Sequence, residues 1–196
     1  MDFLRMMISG TVAYNNLEFP SVYNSAAGRS EQCSTETPGA GWSAVITLSP
    51  DEDDRIDGQL SKHFKSVAQR DSRLGEYAGI HSRRVLDDGS IQITIRKKCK
   101  TAKGKSNLEP AIVDTQRKPV ENRAFRGGSK VNVMCSALPT NSPASGKWGM
   151  SLFLEALQLV EPVYMDGGVE DFPDLSGSTD PVASAFDDFN DEIPFA

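Results

Sequence analysis

Between residues 81 and 130 the chain carries 13 Lys or Arg against 5 Asp or Glu, a local balance of +8. The cations are Arg83, Arg84, Arg96, Lys97, Lys98, Lys100, Lys103, Lys105, Arg117, Lys118, Arg123, Arg126 and Lys130. A cluster of this density can neutralise phosphates and release their counterions. A solvated charged face is the plainer use of the same residues. Binding unpaired nucleotides also needs aromatic platforms on which bases stack. Tyr14, Phe19, Tyr23, Phe125 and Trp148 are candidates, and Phe125 has the most suggestive setting, between Arg123 and Arg126. Trp42 shares parity with Ala44, Ile46 and Leu48 and is assigned to the core.

Catalytic chemistry has little to stand on. His63 and His81 have no partner at a metal-ligand spacing. Neither a P-loop nor a GxSxG elbow nor a dinucleotide fingerprint occurs. Asp51, Glu52, Asp53 and Asp54 could be read as a magnesium site of a nuclease. They also stand where a helix dipole favours negative charge. Cys33, Cys99 and Cys135 are odd in number and widely spaced, which argues against a disulfide framework and a zinc site. No metal or cofactor is expected, nor is an enzyme.

These side chains need elements to hold them. Ile8 to Tyr14 alternates as a first strand, with Ile8, Gly10, Val12 and Tyr14 on one face. Residues 15–41 read as a long loop, and Trp42 to Leu48 as a second strand. Ser49 and Pro50 open a helix in which Glu52 completes a capping box. Ile56, Leu60, Phe64 and Val67 form its apolar stripe. Val85 to Lys98 reads as a hairpin turning at Asp88-Gly89, with Ile91, Ile93 and Ile95 on one face and Gln92, Thr94, Arg96 and Lys98 on the other. A short strand over 110–114, another from Lys130 to Ala137, a loop over 138–147 and a last strand over 149–160 follow. The last strand is apolar on both faces and so is expected to be central. Strands separated by turn signals, with one helix between them, predict a mainly β chain built as an OB-type barrel.

The charge divides unevenly. Residues 1–160 hold 21 basic and 17 acidic residues; residues 161–196 hold 10 acidic and none basic. The predicted organisation is a domain over 1–164 and a disordered acidic tail over 165–196. No apolar run approaches a membrane span, and the start lacks the layout of a signal peptide, so a cytoplasmic location is expected. The tail ends in Asp187-Asp188-Phe189-Asn190-Asp191-Glu192-Ile193-Pro194-Phe195-Ala196, and solubility alone does not call for its aromatic residues and Ile193.

This tip resembles the acidic tip of bacterial single-stranded DNA-binding proteins. The body resembles the single-stranded DNA-binding proteins of T7-type phages through four segments in the family's order. They are Ala44 to Asp51, Ile112-Val113-Asp114, Gly127-Gly128-Ser129-Lys130-Val131, and Gly149 to Glu161. The family tends to place an aromatic where Thr140 follows Leu138-Pro139, and such tails usually end on Phe rather than on a residue such as Ala196. The resemblance implies an OB-fold, no catalysis, and a role in DNA replication, recombination and repair in the cytoplasm of an infected bacterial cell. It implies single-stranded DNA as ligand, a homodimer as one possible assembly, and a tail that recruits a polymerase, a helicase or primase, and a nuclease. The DNA-binding residues expected are Tyr14, Phe19, Arg83, Arg84, Arg96, Lys98, Lys100, Lys103, Lys105, Phe125, Arg126, Lys130 and Trp148. The partner-binding residues expected are Asp187, Asp188, Phe189, Asp191, Glu192, Ile193, Pro194 and Phe195. A protein-interaction adaptor on the same barrel, with little DNA affinity, is the other reading.

Overall fold

Period-two alternation buries one face of each long strand, and the buried faces close on one another. The computed structural model of the chain describes residues 3–142 and 145–164. The expected tail and its partner-binding residues, Asp187 to Phe195, lie outside the described residues. The elements are β1 (Leu4–Asn24), β2 (Arg29–Gln32), β3 (Gly41–Leu48), α1 (Pro50–Ala68), β4 (Tyr77–Ile80), β5 (Arg83–Val85), β6 (Ile91–Lys98), β7 (Ala111–Val113), β8 (Lys130–Asn141) and β9 (Trp148–Glu161). Antiparallel pairing joins β9 to β8, β8 to β1, β1 to β3 and β3 to β6. A parallel contact between Arg96 and Phe153 joins β6 back to β9 and closes a five-stranded barrel. The fold is the expected OB-type barrel, mainly β, with one helix.

Inside lie Ile8 and Val12 from β1, Trp42, Ala44 and Ile46 from β3, and Ile93 and Ile95 from β6. Val131, Val133 and Cys135 come from β8, and Leu152, Leu154, Leu157 and Leu159 from β9. Ile56, Leu60, Phe64 and Val67 bury the apolar stripe of α1. Gly89 takes φ +80° in the β5–β6 turn, a conformation glycine adopts without a Cβ penalty.

Three expectations about the strands are corrected. The first strand does not stop at Tyr14; β1 runs on to Asn24, so Phe19 and Tyr23 lie in a strand. Register shifts between Val12 and Tyr14 and between Asn16 and Ser21 let it bend through Pro20 and pair with β2. The 138–147 loop is shorter than expected, because β8 continues through Pro139 to Asn141. The pairing of β8 with β1 ends at Ala137 opposite Leu4, so Pro139 has only β9 beside it and is tolerated there. The last strand is central in pairing, with β4, β6, β7 and β8 as neighbours. Its two apolar parities have another origin. The register with β8 shifts across Glu155, so the buried set changes from Leu152 and Leu154 to Leu157 and Leu159.

The helix start is half as expected. The Ser49 hydroxyl accepts the Glu52 amide at 3.3 Å. The Glu52 carboxylate does not return to Ser49: it accepts the Ser9 amide at 2.8 Å and two bonds from Arg55, at 2.7 Å each. Arg55 also donates to the Met7 carbonyl at 2.7 Å, so these two side chains fasten α1 to β1 rather than cap it.

Candidate nucleic-acid interface

Strands that bury alternate residues present the others outward. On β3 the outward set is Ser43, Val45 and Thr47; on β6 it is Gln92, Thr94, Arg96 and Lys98. The register sets Val45 opposite Thr94, Ser43 opposite Arg96, Thr47 opposite Gln92 and Gly41 opposite Lys98. β1 adds Tyr14 opposite Val45 and Asn16 opposite Ser43. β9 adds Phe153 opposite Arg96, and β5 adds Arg84 opposite Gln92. One outer face of the barrel therefore carries a polar, basic strip with an aromatic on each flanking strand. Three strand spacings separate β1 from β9 by this route, about 14 Å along the surface.

Tyr14 reaches this face because of a bulge. Val12 points inward with 1% exposure, and simple alternation would send Tyr14 the same way. The register slips across Ala13, and the Tyr14 ring emerges 52% exposed. Its hydroxyl donates to Asn16 Oδ1 at 2.7 Å. Beyond it, Tyr14, Asn16 and Phe19 face Arg123 and Arg126 across a cleft of about 380 Å³. The segment carrying those arginines lies flat on β1. Asn15 Nδ2 donates to the Phe125 carbonyl at 2.9 Å, and Gly127 approaches so closely that a Cβ there would stand 2.9 Å from the Ala13 carbonyl oxygen.

That anchoring corrects the expectation for Phe125. Its ring is 3% exposed and belongs to the core, so it cannot stack a base from where it stands. Phe19, at 48% exposure, lines the cleft. Trp148 is half-buried: it packs against the core, opposite Tyr77, and a Cβ on Gly75 would touch its ring at 3.0 Å. It is therefore a structural side chain rather than a groove aromatic. Phe153 is the exposed aromatic of β9 beside Arg96, and the sequence reading missed it. Its signal was parity with Ser151 rather than with Leu152 and Leu154.

The cations divide in the same way. Arg83 turns to α1 and binds Asp53 through both nitrogens of its edge, Nη2 to Oδ2 at 2.8 Å and Nε to Oδ1 at 3.0 Å. That hydrogen bond raises the Arg83 pKa, and Asp53 is only 4% exposed, so Arg83 is a structural cation and not one poised for phosphate. Arg96 donates from Nη2 to the carbonyls of Gly39 at 2.7 Å and Ser21 at 3.3 Å, pinning the far end of β1 to the strip. Lys100 pairs with Glu36, Arg123 with Glu109, and Lys130 with Glu161 at 2.8 Å. Arg84, Lys98, Lys103, Lys105 and Arg126 have no ion-pair partner among the described residues. Lys103 and Lys105 stand on an exposed turn that continues β6, closed by the Thr101 amide on the Lys105 carbonyl at 2.8 Å.

The aspartates at 51–54 do not assemble a metal centre. Asp53 is committed to Arg83, and among the described residues no group of three or more His, Cys, Asp or Glu is placed to hold a metal ion. No helix among them is long and apolar enough to cross a membrane.

The barrel, its one helix and its basic outer strip give this chain the fold of phage single-stranded DNA-binding proteins. Similar solved structures include gp2.5, a single-stranded DNA-binding protein encoded by bacteriophage T7: 19% identity, TM-score 0.51, 93% of this chain and 100% of that one. The single-stranded DNA-binding protein of bacteriophage Enc34, solved in complex with single-stranded DNA, is 12% identical with a TM-score of 0.52, over 80% of this chain and 86% of that one. A further structure of the single-stranded DNA-binding protein from bacteriophage Enc34 gives 12% and 0.51 over 90% of each chain. No protein-family profile matches the sequence, and no curated protein matches it.

Proposed function

We propose that this chain binds single-stranded DNA, tolerating any sequence, along the outer face of β1, β3, β6 and β9. The observation that carries the reading is the strip itself. Exposed Tyr14 and Phe153 stand on its two flanking strands, and Arg84, Lys98 and Arg126, along it and beside its cleft, have no ion-pair partner among the described residues. Aromatic faces stack unpaired bases, and cations track the backbone, which favours single strands over duplex. The Enc34 protein, of the same fold, was solved with single-stranded DNA and supports the assignment. The acidic tail fits a second task, recruiting replication and recombination proteins of the phage through Phe189, Ile193 and Phe195 set among its carboxylates.

Fluorescence titration with oligo-dT and with duplex DNA at several salt concentrations tests the reading. Binding to the single strand should be tighter, with log K falling against log salt at about −0.7 per phosphate neutralised. Absence of salt-dependent binding would leave the adaptor reading in its place. A partner pull-down with residues 177–196 deleted tests the tail separately.

A further inference from the structure

Buried side-chain polar atoms in folded proteins almost always have hydrogen-bond partners, and an exception asks for a cause. Among the described residues three such atoms are shielded from water and unpartnered: Asn16 Nδ2, Ser82 Oγ and Arg96 Nε. They are far apart in sequence, yet all three belong to the strip. Asn16 and Arg96 share one cross-strand row, Asn16 opposite Ser43 and Ser43 opposite Arg96. Asn16 also lines the cleft beside Tyr14 and Phe19. Ser82 lines a second cleft of about 270 Å³ with Arg96, Lys98 and Phe153. Each cleft thus couples an exposed aromatic to a side-chain hydrogen-bond donor with nothing to bond.

We propose that these two clefts are nucleobase seats that read base carbonyl oxygens. The amide of Asn16 spends its oxygen on the Tyr14 hydroxyl, which leaves its N–H pair as the group on offer. Arg96 spends Nη2 on two carbonyls, which leaves Nε. Ser82 can donate its hydroxyl proton. The Asn16 and Arg96 nitrogens can only donate and the Ser82 hydroxyl can do so, so the ligand they complement is a base edge rich in acceptor oxygen. Thymine presents two carbonyl oxygens, cytosine and guanine one each, adenine none. The three donors are shielded from solvent in the free chain, so seating a base calls for a shift of the side chains that line the clefts. The phosphate contacts remain indifferent to sequence, so the outcome is a graded preference on top of general single-strand binding. This inference rests on the single-stranded DNA reading.

The test compares equal-length oligo-dT, oligo-dA and an oligomer of difluorotoluene nucleotides, which keep thymine's shape but lack its carbonyl acceptors. The full chain should bind dT more tightly than the difluorotoluene strand by roughly 2- to 10-fold, the worth of one net hydrogen bond. Asn16→Ala and Ser82→Ala should each lower the dT-to-dA affinity ratio, whatever either does to dA binding itself; Asn16→Ala also removes the acceptor of the Tyr14 hydroxyl. Backbone flexibility also favours pyrimidine runs, but it is unchanged by those substitutions, so the change in ratio isolates the hydrogen bonds. Melting temperatures show whether each variant is folded, and the difluorotoluene comparison needs no variant at all. Equal binding of dT and its isostere, with single-strand binding intact, overturns the seats and spares the general function. Failure to bind any of the strands overturns both.

Discussion

The outer strip and the α1 side of the barrel carry similar residue types and use them in opposite ways. Around α1, several charged groups are tied into the fold. Arg83 binds Asp53, Arg55 binds Glu52 and Met7, Arg73 binds Asp71, and the Tyr77 hydroxyl donates to Asp57 at 2.7 Å. Burial, and then that Asp57 bond, push the Tyr77 phenol far above its ordinary range. On the strip, Arg84 and Lys98 have no ion-pair partner and polar atoms of Asn16, Ser82 and Arg96 are unmet among the described residues. Residue type does not separate the two regions; the state of pairing does. One side ties the polar groups named above into the fold, and the other leaves its own without partners among the described residues.

Two phenylalanines give the largest test of that contrast. Phe125→Ala should cost about 3–5 kcal/mol of stability, as for other large core truncations, and leave DNA affinity per folded molecule unchanged. Phe153→Ala should do the reverse, losing about 1–3 kcal/mol of affinity with little change in melting temperature. Thermal unfolding and titration of the same two variants decide it; affinity loss in a folded Phe125→Ala would return that ring to the site.

Neighbouring arginines sharpen it further. Arg83→Ala leaves Asp53 buried without its cation, and breaking such a pair is costly. Arg83 is partly exposed, which lowers the expected loss to about 2 kcal/mol. Arg84→Ala should leave stability alone and weaken DNA binding. Lys98→Ala and Arg126→Ala should each reduce the salt slope by about 0.7. Lys130→Ala, whose ammonium already has Glu161, should change it less. A slope that responds equally to Lys98→Ala, Arg126→Ala and Lys130→Ala would mean that pairing in the free protein does not sort the cations.

The sequence made the barrel legible where alternation was clean. β3 and β6 bury one parity and expose the other, so the outward set Gln92, Thr94, Arg96 and Lys98 was readable at once. Bulges hid the rest. A slip at Ala13 turned Tyr14 from core parity to the surface, and a slip at Glu155 made β9 look apolar on both faces while Phe153 stood outside. No local pattern announces such a slip, because it depends on the partner strand. Ion pairing was hidden for a related reason: Asp53 is 30 residues from Arg83, and Glu36 is 64 from Lys100. Phe125 misled because its flanking arginines face the cleft while its own ring points into the core.

The smallest expected effect lies at the join between α1 and β1, and it tests the α1 side by pH. The hydrogen bonds from Arg55 lower the Glu52 pKa below its ordinary 4.5, the Ser9 amide adds to this, and partial burial opposes it. A carboxyl whose folded pKa is depressed binds its proton more readily in the unfolded chain. Its contribution to stability is therefore fully present above about pH 4.5 and is lost as pH falls through the depressed folded value. Glu52→Gln should lower the melting temperature at neutral pH, and the gap between variant and wild type should close as the solution is acidified below pH 4.5. Single-stranded DNA binding, measured at neutral pH, should be the same in both. A gap that is constant with pH would assign the loss to the hydrogen bonds the amide cannot accept and not to the charge. A loss of DNA affinity would show that the α1 clasp reaches the strip through β1, on which Ser9 and Tyr14 both lie.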